Sequence, residues 1–189
     1  MVRDEIFNEL YENPVIMAVK DNKDLAKALE TDNRIVFVLY GNIETIPQIV
    51  KKIKNKNKIA IVHEDLIEGL SSSSMANHFI KRYTEADGVI TTRPQNASHA
   101  MKLGLFSILR FFILDSISYQ SMKETIKKVN CDCIEILPGI MPKITKQVSK
   151  RTSIPIVAGG LIKDKEDVID NLNAGAIAIS SSSYDVWKM

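Results

Sequence analysis

The sequence predicts an α/β protein folded as a compact (β/α)8 TIM-type barrel, and three observations carry that prediction. Eight short runs rich in Ile, Val and other apolar residues recur from end to end. Each is nearly continuous rather than alternating, the pattern of parallel strands buried on both faces. The segments between them show helical spacing, and the runs begin every ~20 to 29 residues, the size of one βα unit. Eight such units close a barrel. The rival, a doubly wound open sheet, usually has about five or six strands.

In chain order the predicted strands are Val15–Val19, 35–40, 59–62, 88–92, 108–114, 134–137, 154–158 and 176–179. A helix over 43–54 places Ile46, Val50 and Ile53 on one face, with Pro47 early enough to be tolerated in its first turn. Met75–Tyr83 follows Ser74 as a candidate cap. Ser121 and Glu124 have capping-box spacing ahead of Ile126 and Val129. Pro142 marks a first turn before Ile144 and Val148. The helix over 165–172 stops at Asn173, Ala174 and Gly175, and a last short helix spans 184–188. No linker or low-complexity tail interrupts this periodicity, so residues 1–189 are expected to form a single barrel domain.

Composition bounds the partners. The chain is 45% hydrophobic and 25% charged, ordinary for a globular domain, and its formal net charge of +2 gives no support for nucleic-acid binding from bulk charge. No apolar run has the length of a membrane span, and the acidic, polar stretch 1–12 does not read as a secretory signal. Cys131 and Cys133, one residue apart, suit neither a bridge to each other nor a zinc site, and a cytoplasmic location is expected. No metal, cofactor or membrane partner is expected, and a homo-oligomer is left open.

In a barrel, function gathers where strands end and βα loops begin. Lys20 follows strand 1, and His63, Glu64 and Asp65 follow strand 3. Arg93 follows strand 4 and Asp115 strand 5, while Gly159 and Gly160 end strand 7. Ser180 to Ser183 end strand 8. The usual barrel anion site uses the loops after strands 7 and 8, where glycines expose backbone amides and hydroxyls add donors. Gly159, Gly160, Ser181 and Ser182 supply those parts in that order. Arg110 and Glu135 are charges inside apolar strands 5 and 6, and burial requires them to pair. His63 and Asp65, two apart on an extended strand, are expected to face one side as an acid/base pair or a ligand clamp. The lysines at 51, 52, 54, 56 and 58 read first as a solvated helix end.

Several stretches together resemble the glycerol uptake operon antiterminator regulatory family. They are Val62 to Gly69, Ile90 to Arg93, Arg110 to Asp115, Ile134 to Lys143 with its Glu-x-Leu-Pro-Gly-x-x-Pro-Lys pattern, Pro155 to Ile162 with Ala-Gly-Gly, and the Trp187-Lys188 tail. The departures are Glu64 in place of a hydrophobic residue, serines in place of threonines after strand 8, and Lys20 in place of an arginine. The resemblance implies a non-enzymatic, glycerol 3-phosphate-responsive regulator that acts on leader mRNA to carry transcription past a terminator. The phosphate is expected on Gly159, Gly160, Ser181 and Ser182, with Lys20 or Arg93 adding charge. The glycerol hydroxyls are expected among His63, Asp65, Arg110 and Glu135. The alternative is a phosphosugar isomerase or lyase, with His63, Asp65 and Glu135 as acid/base groups. The RNA-binding surface is unassigned.

Overall fold

The computed structural model describes residues 2–189. Eight parallel strands run in the order β1 to β8 around a closed barrel, and β8 returns to pair with β1. They are β1 (Val15–Val19), β2 (Ile35–Val38), β3 (Ile59–His63), β4 (Gly88–Thr91), β5 (Phe106–Phe112), β6 (Cys133–Leu137), β7 (Ile156–Gly159) and β8 (Ala178–Ser181). The helices are α1 (Val2–Glu12), α2 (Asn22–Ala28), α3 (Ile46–Lys54), α4 (Met75–Tyr83), α5 (Pro94–Lys102), α6 (Ser116–Ile126), α7 (Pro142–Ser149), α8 (Lys165–Asn173) and α9 (Tyr184–Trp187). Among the described residues no helix is long and apolar enough to cross a membrane.

Alternate residues of each strand feed two separate cores. Ile16, Phe37, Ile61, Ile90, Ile108 and Val157 fill the barrel interior. Their neighbours Met17, Val38, Val62, Val89, Leu109 and Ala158 pack outward under the helices. This two-sided burial is why the strands read as continuous apolar runs.

Helix α1 was not anticipated from its polar composition. Its Ile6 and Leu10, one turn apart, join the interior core beside Ile35, Ile59 and Phe106, the first residues of their strands. Phe7 meets Phe106 edge to face at 5.2 Å between ring centroids. Arg34 pairs with Glu5 at 2.7 Å and Glu9 at 3.2 Å, and Arg3 with Asp132 at 2.7 Å. The helix therefore floors the barrel at the strands' N-terminal ends.

Element boundaries moved in a few places. Strand β5 starts at Phe106 rather than 108 and is finished by Phe112, leaving Leu114 exposed. Helix α6 begins five residues before Ser121. Asp115 is its cap, accepting from Ser118 N at 2.8 Å, while Ser118 Oγ accepts from Asp115 N at 3.0 Å. The capping box thus uses a serine where Glu124 was expected. Ser74 makes no cap bond; Ser73 Oγ takes the Met75 amide instead, at 3.3 Å.

Candidate functional site

The C-terminal ends of the strands open into a cavity of about 400 Å³ lined by residues of β1, β5, β6 and β8 and the loop after β7. Its charged floor is one buried pair. Arg110 and Glu135 are register partners on β5 and β6. Arg110 Nε donates to Glu135 Oε2 at 2.6 Å, and Ser180 Oγ donates to Glu135 Oε1 at 2.6 Å. Both carboxylate oxygens are therefore engaged, as a buried charge requires. A guanidinium has five N–H donors. Glu135 uses the one on Nε, and Arg110 makes no other hydrogen bond among the described residues.

Two glycines make this arrangement possible. A Cβ at Gly159 would lie 2.5 Å from Glu135 Oε1 and would also strike Ser180 Oγ, so a side chain there would force both groups out of their present bond. Gly160 has φ +79° and is followed by Leu161 at φ +64°, so the chain turns sharply along the cavity wall. A side chain at Gly160 would also press Leu137 Cδ2 at 3.1 Å.

Strand alternation separates the serines. Ser180 faces the interior, and Ser182 lies on the cavity wall with an exposed side chain. Ser181 points outward: its Oγ donates to Ile162 O at 2.7 Å and accepts from Ser183 N at 3.0 Å, and its carbonyl accepts from Trp187 Nε1 at 2.7 Å. Adjacent strand residues cannot present hydroxyls to one ligand. The Ser181 hydroxyl holds the loop after β7 against α9 instead. Lys20, at the end of β1, and Lys163, after β7, bring two exposed ammonium groups to the rim. Lys163 was not singled out from the sequence. Its signal is a cation three residues after the glycine pair, in the same βα loop.

His63, Asp65 and Arg93 are not on this cavity wall. His63 and Asp65 do face each other, but not as neighbours on one strand: the chain leaves the extended conformation after His63 and enters a 3-10 turn, Glu64–Leu66. Asp65 Oδ2 accepts from Thr92 N at 2.7 Å, Thr92 Oγ1 at 3.1 Å and Thr91 Oγ1 at 3.2 Å, and Asp65 Oδ1 pairs with Arg93. Asp65 and Arg93 thus neutralise each other between the β3 and β4 loops. His63 is buried, its Nδ1 has no hydrogen-bond partner, and it stands 3.9 Å from Asp65 Oδ2. Burial, aided by the positive charge of Arg110, pushes the imidazole down to about 3, so it is neutral at physiological pH.

Glu64, between those two, turns away from the barrel. Its buried carboxylate accepts from Asn77 Nδ2 of α4 at 2.5 Å and Asn96 Nδ2 of α5 at 2.6 Å. Burial raises its affinity for a proton above that of an ordinary glutamate. Asn77 Oδ1 is left without a partner.

The lysine run is mostly committed to structure. Lys54 pairs with Asp87 at 2.7 Å, Lys56 with Glu30 at 3.2 Å, and buried Lys58 donates to Thr31 O at 2.5 Å and Asn33 O at 2.6 Å.

Comparison with known proteins agrees with this fold. Residues 15–187 match the model of the family described as glycerol-3-phosphate responsive antiterminator. The chain is 46% identical over 180 residues to the uncharacterized protein YgcP of Escherichia coli strain K12, covering 95% of this chain and 94% of that protein. The crystal structure of the glycerol uptake operon antiterminator regulatory protein from Listeria monocytogenes superposes with a TM-score of 0.88 at 33% identity, over 90% of this chain and 92% of the other. A glycerol uptake operon antiterminator-related protein from Thermotoga maritima superposes with a TM-score of 0.82 at 32% identity, over 93% and 98% of the two chains. By this match over almost its whole barrel, the chain belongs to the glycerol-3-phosphate responsive antiterminator family.

Proposed function

We propose that this protein is a glycerol 3-phosphate sensor that holds its ligand in the barrel mouth and acts on the leader mRNA of glycerol-utilisation genes, without catalysing a reaction. The observation that carries the reading is the cavity over the Arg110–Glu135–Ser180 network, rimmed by Lys20 and Lys163 and walled by the Gly160 turn.

The phosphate belongs at the rim, on the backbone amides of Gly159 and Gly160 and the hydroxyl of Ser182, while Ser181, its hydroxyl and carbonyl both engaged, braces the loop beside it. Lys20 and Lys163 supply the balancing charge. The glycerol hydroxyls belong deeper, on Arg110 and on the lone pairs that Glu135 retains. His63, Asp65 and Arg93 shape the neighbouring loops. The isomerase or lyase reading needs an available acid and base. Asp65 is bound to Arg93 and two threonines, and Glu135 to Arg110 and Ser180, which favours the sensor.

Calorimetric titration with glycerol 3-phosphate, with glycerol and inorganic phosphate as controls, tests the ligand. Saturable binding much tighter than either control, without consumption of the ligand, and its loss in Gly160→Asp are expected. Turnover, or unchanged affinity in Gly160→Asp, overturns the reading. Because the coupling of two ligands is reciprocal, leader RNA and glycerol 3-phosphate should each tighten the other's binding.

A further inference from the structure

A second, larger cavity of about 550 Å³ lies away from the mouth, between α4, Ile43 and the loop that carries Gly69 to Ser71. Met75, Phe79 and Tyr83 stand four residues apart along α4 and form one stripe beside it. Phe79 and Tyr83 lie with ring centroids 5.2 Å apart. Met75 and Tyr83 are 62% and 58% exposed, a large apolar surface left open to water.

The groove's charge is one-sided. His78, Lys81 and Arg82 are among its lining residues, and no carboxylate is. The Arg82 guanidinium stands 5.6 Å from the Tyr83 ring centroid, stiffening the aromatic edge. Aromatic faces next to cations, with no acid among the lining residues and the exposed Glu44 and Glu68 flanking its far edge, suit single-stranded RNA: bases stack on the rings and phosphates meet the cations. An acidic or basic partner alone would not use the rings, and an apolar partner alone would not use the cations.

We propose that this α4 groove is a docking surface for a single-stranded RNA segment, with Tyr83 and Phe79 as the stacking platform and Lys81 and Arg82 as the phosphate contacts. The inference rests on the antiterminator reading and assigns that reading its RNA surface. The helix that carries the groove is also tied to the turn after β3. Asn77, beside lining residues Ala76 and His78, donates to Glu64, the residue that follows His63 of β3.

The test uses the full chain with saturating glycerol 3-phosphate and a fluorescent leader RNA from a glycerol-utilisation operon carrying photoreactive uridines. Tyr83→Ala should weaken RNA binding about ten-fold. Lys81→Glu with Arg82→Glu should weaken it at least as much and flatten its salt dependence, while calorimetric affinity for glycerol 3-phosphate stays unchanged. Cross-links should map to α4. These side chains are exposed, so the variants should keep the parent's melting temperature. Leader RNA binding that survives both variants, with cross-links elsewhere, overturns the groove and leaves the sensor reading intact. Failure of the parent protein to bind leader RNA overturns both. RNA binding that is retained while Tyr83→Ala changes the sedimentation mass would assign the groove to a second copy of the chain and overturn the proposal.

Discussion

Arg110 Nε and Glu135 Oε2 lie 2.6 Å apart on register-paired residues of adjacent strands, so the barrel's deepest charged contact is fixed by sheet geometry rather than by side-chain search. Removing one partner leaves the other buried and uncompensated. Arg110→Met should cost roughly 3–5 kcal/mol in denaturant unfolding. The double variant Arg110→Met with Glu135→Leu should recover most of that loss while still failing to bind glycerol 3-phosphate. A double variant no more stable than Arg110→Met alone would show that the pair is not the source of the cost.

Gly159→Ala tests the other side of the same network. Its Cβ falls 2.5 Å from Glu135 Oε1, so the carboxylate must move and release Ser180. A loss of about 1–3 kcal/mol by thermal or denaturant unfolding is expected, with weaker ligand binding by calorimetry. Ala at Ile169, exposed on α8 and outside the cavity lining, should leave the Glu135–Ser180 bond and ligand affinity intact.

His63 makes folding sensitive to acid. Its folded value is depressed to about 3 from an ordinary 6.5. The unfolded chain therefore takes up a proton as pH falls below 6.5 while the native chain does not. The stability this group provides is fully present above that value and is lost on acidification toward 3, by up to about 1.4 kcal/mol per pH unit. In His63→Gln the slope of unfolding free energy against pH between these limits should fall by about one proton. An imidazole NMR signal titrating near 6.5 in the native protein would contradict the assignment.

Glu64 works in the opposite direction. Its folded value is raised from 4.5 by burial, so the native chain keeps a proton that the unfolded chain has released. Stability is fully present below 4.5 and declines as pH rises from there through the raised value. Glu64→Gln removes the titration, and its amide N–H meets Asn77 Oδ1 once the Asn77 amide turns over to present that oxygen. The variant should be more stable at neutral pH by about 1 kcal/mol, with a flatter pH profile above 4.5. Equal stabilities at pH 7 would show that the carboxylate is comfortable there.

The barrel was legible because burial on both strand faces leaves few polar interruptions, and the interruptions that remain, Arg110 and Glu135, stood out as a pair. Helix α1 was not legible: Ile6, Phe7 and Leu10 are scattered among charges, and their burial depends on an opening that only the closed barrel creates. The serine run showed where donors gather but not which ones face inward. That follows from the strand's phase, fixed here by Ser180 reaching Glu135. Asp65 was read onto the strand, beside His63 as it proves to be, because periodicity cannot see where an extended chain bends into a 3-10 turn. Glu64 looked like one more strand-end acid, and its partners Asn77 and Asn96 come from helices that sequence spacing alone does not bring together.

The α1 floor has a consequence for traffic. With the interior packed by residues such as Phe37 and Ile108, and Ile6 and Leu10 seated beneath them, the mouth is the one doorway that the described residues leave to its cavity. A small molecule in the mouth must depart by the route it came. Anything that settles across that doorway slows arrival and departure together, lengthening the residence of a ligand already inside without needing to touch it.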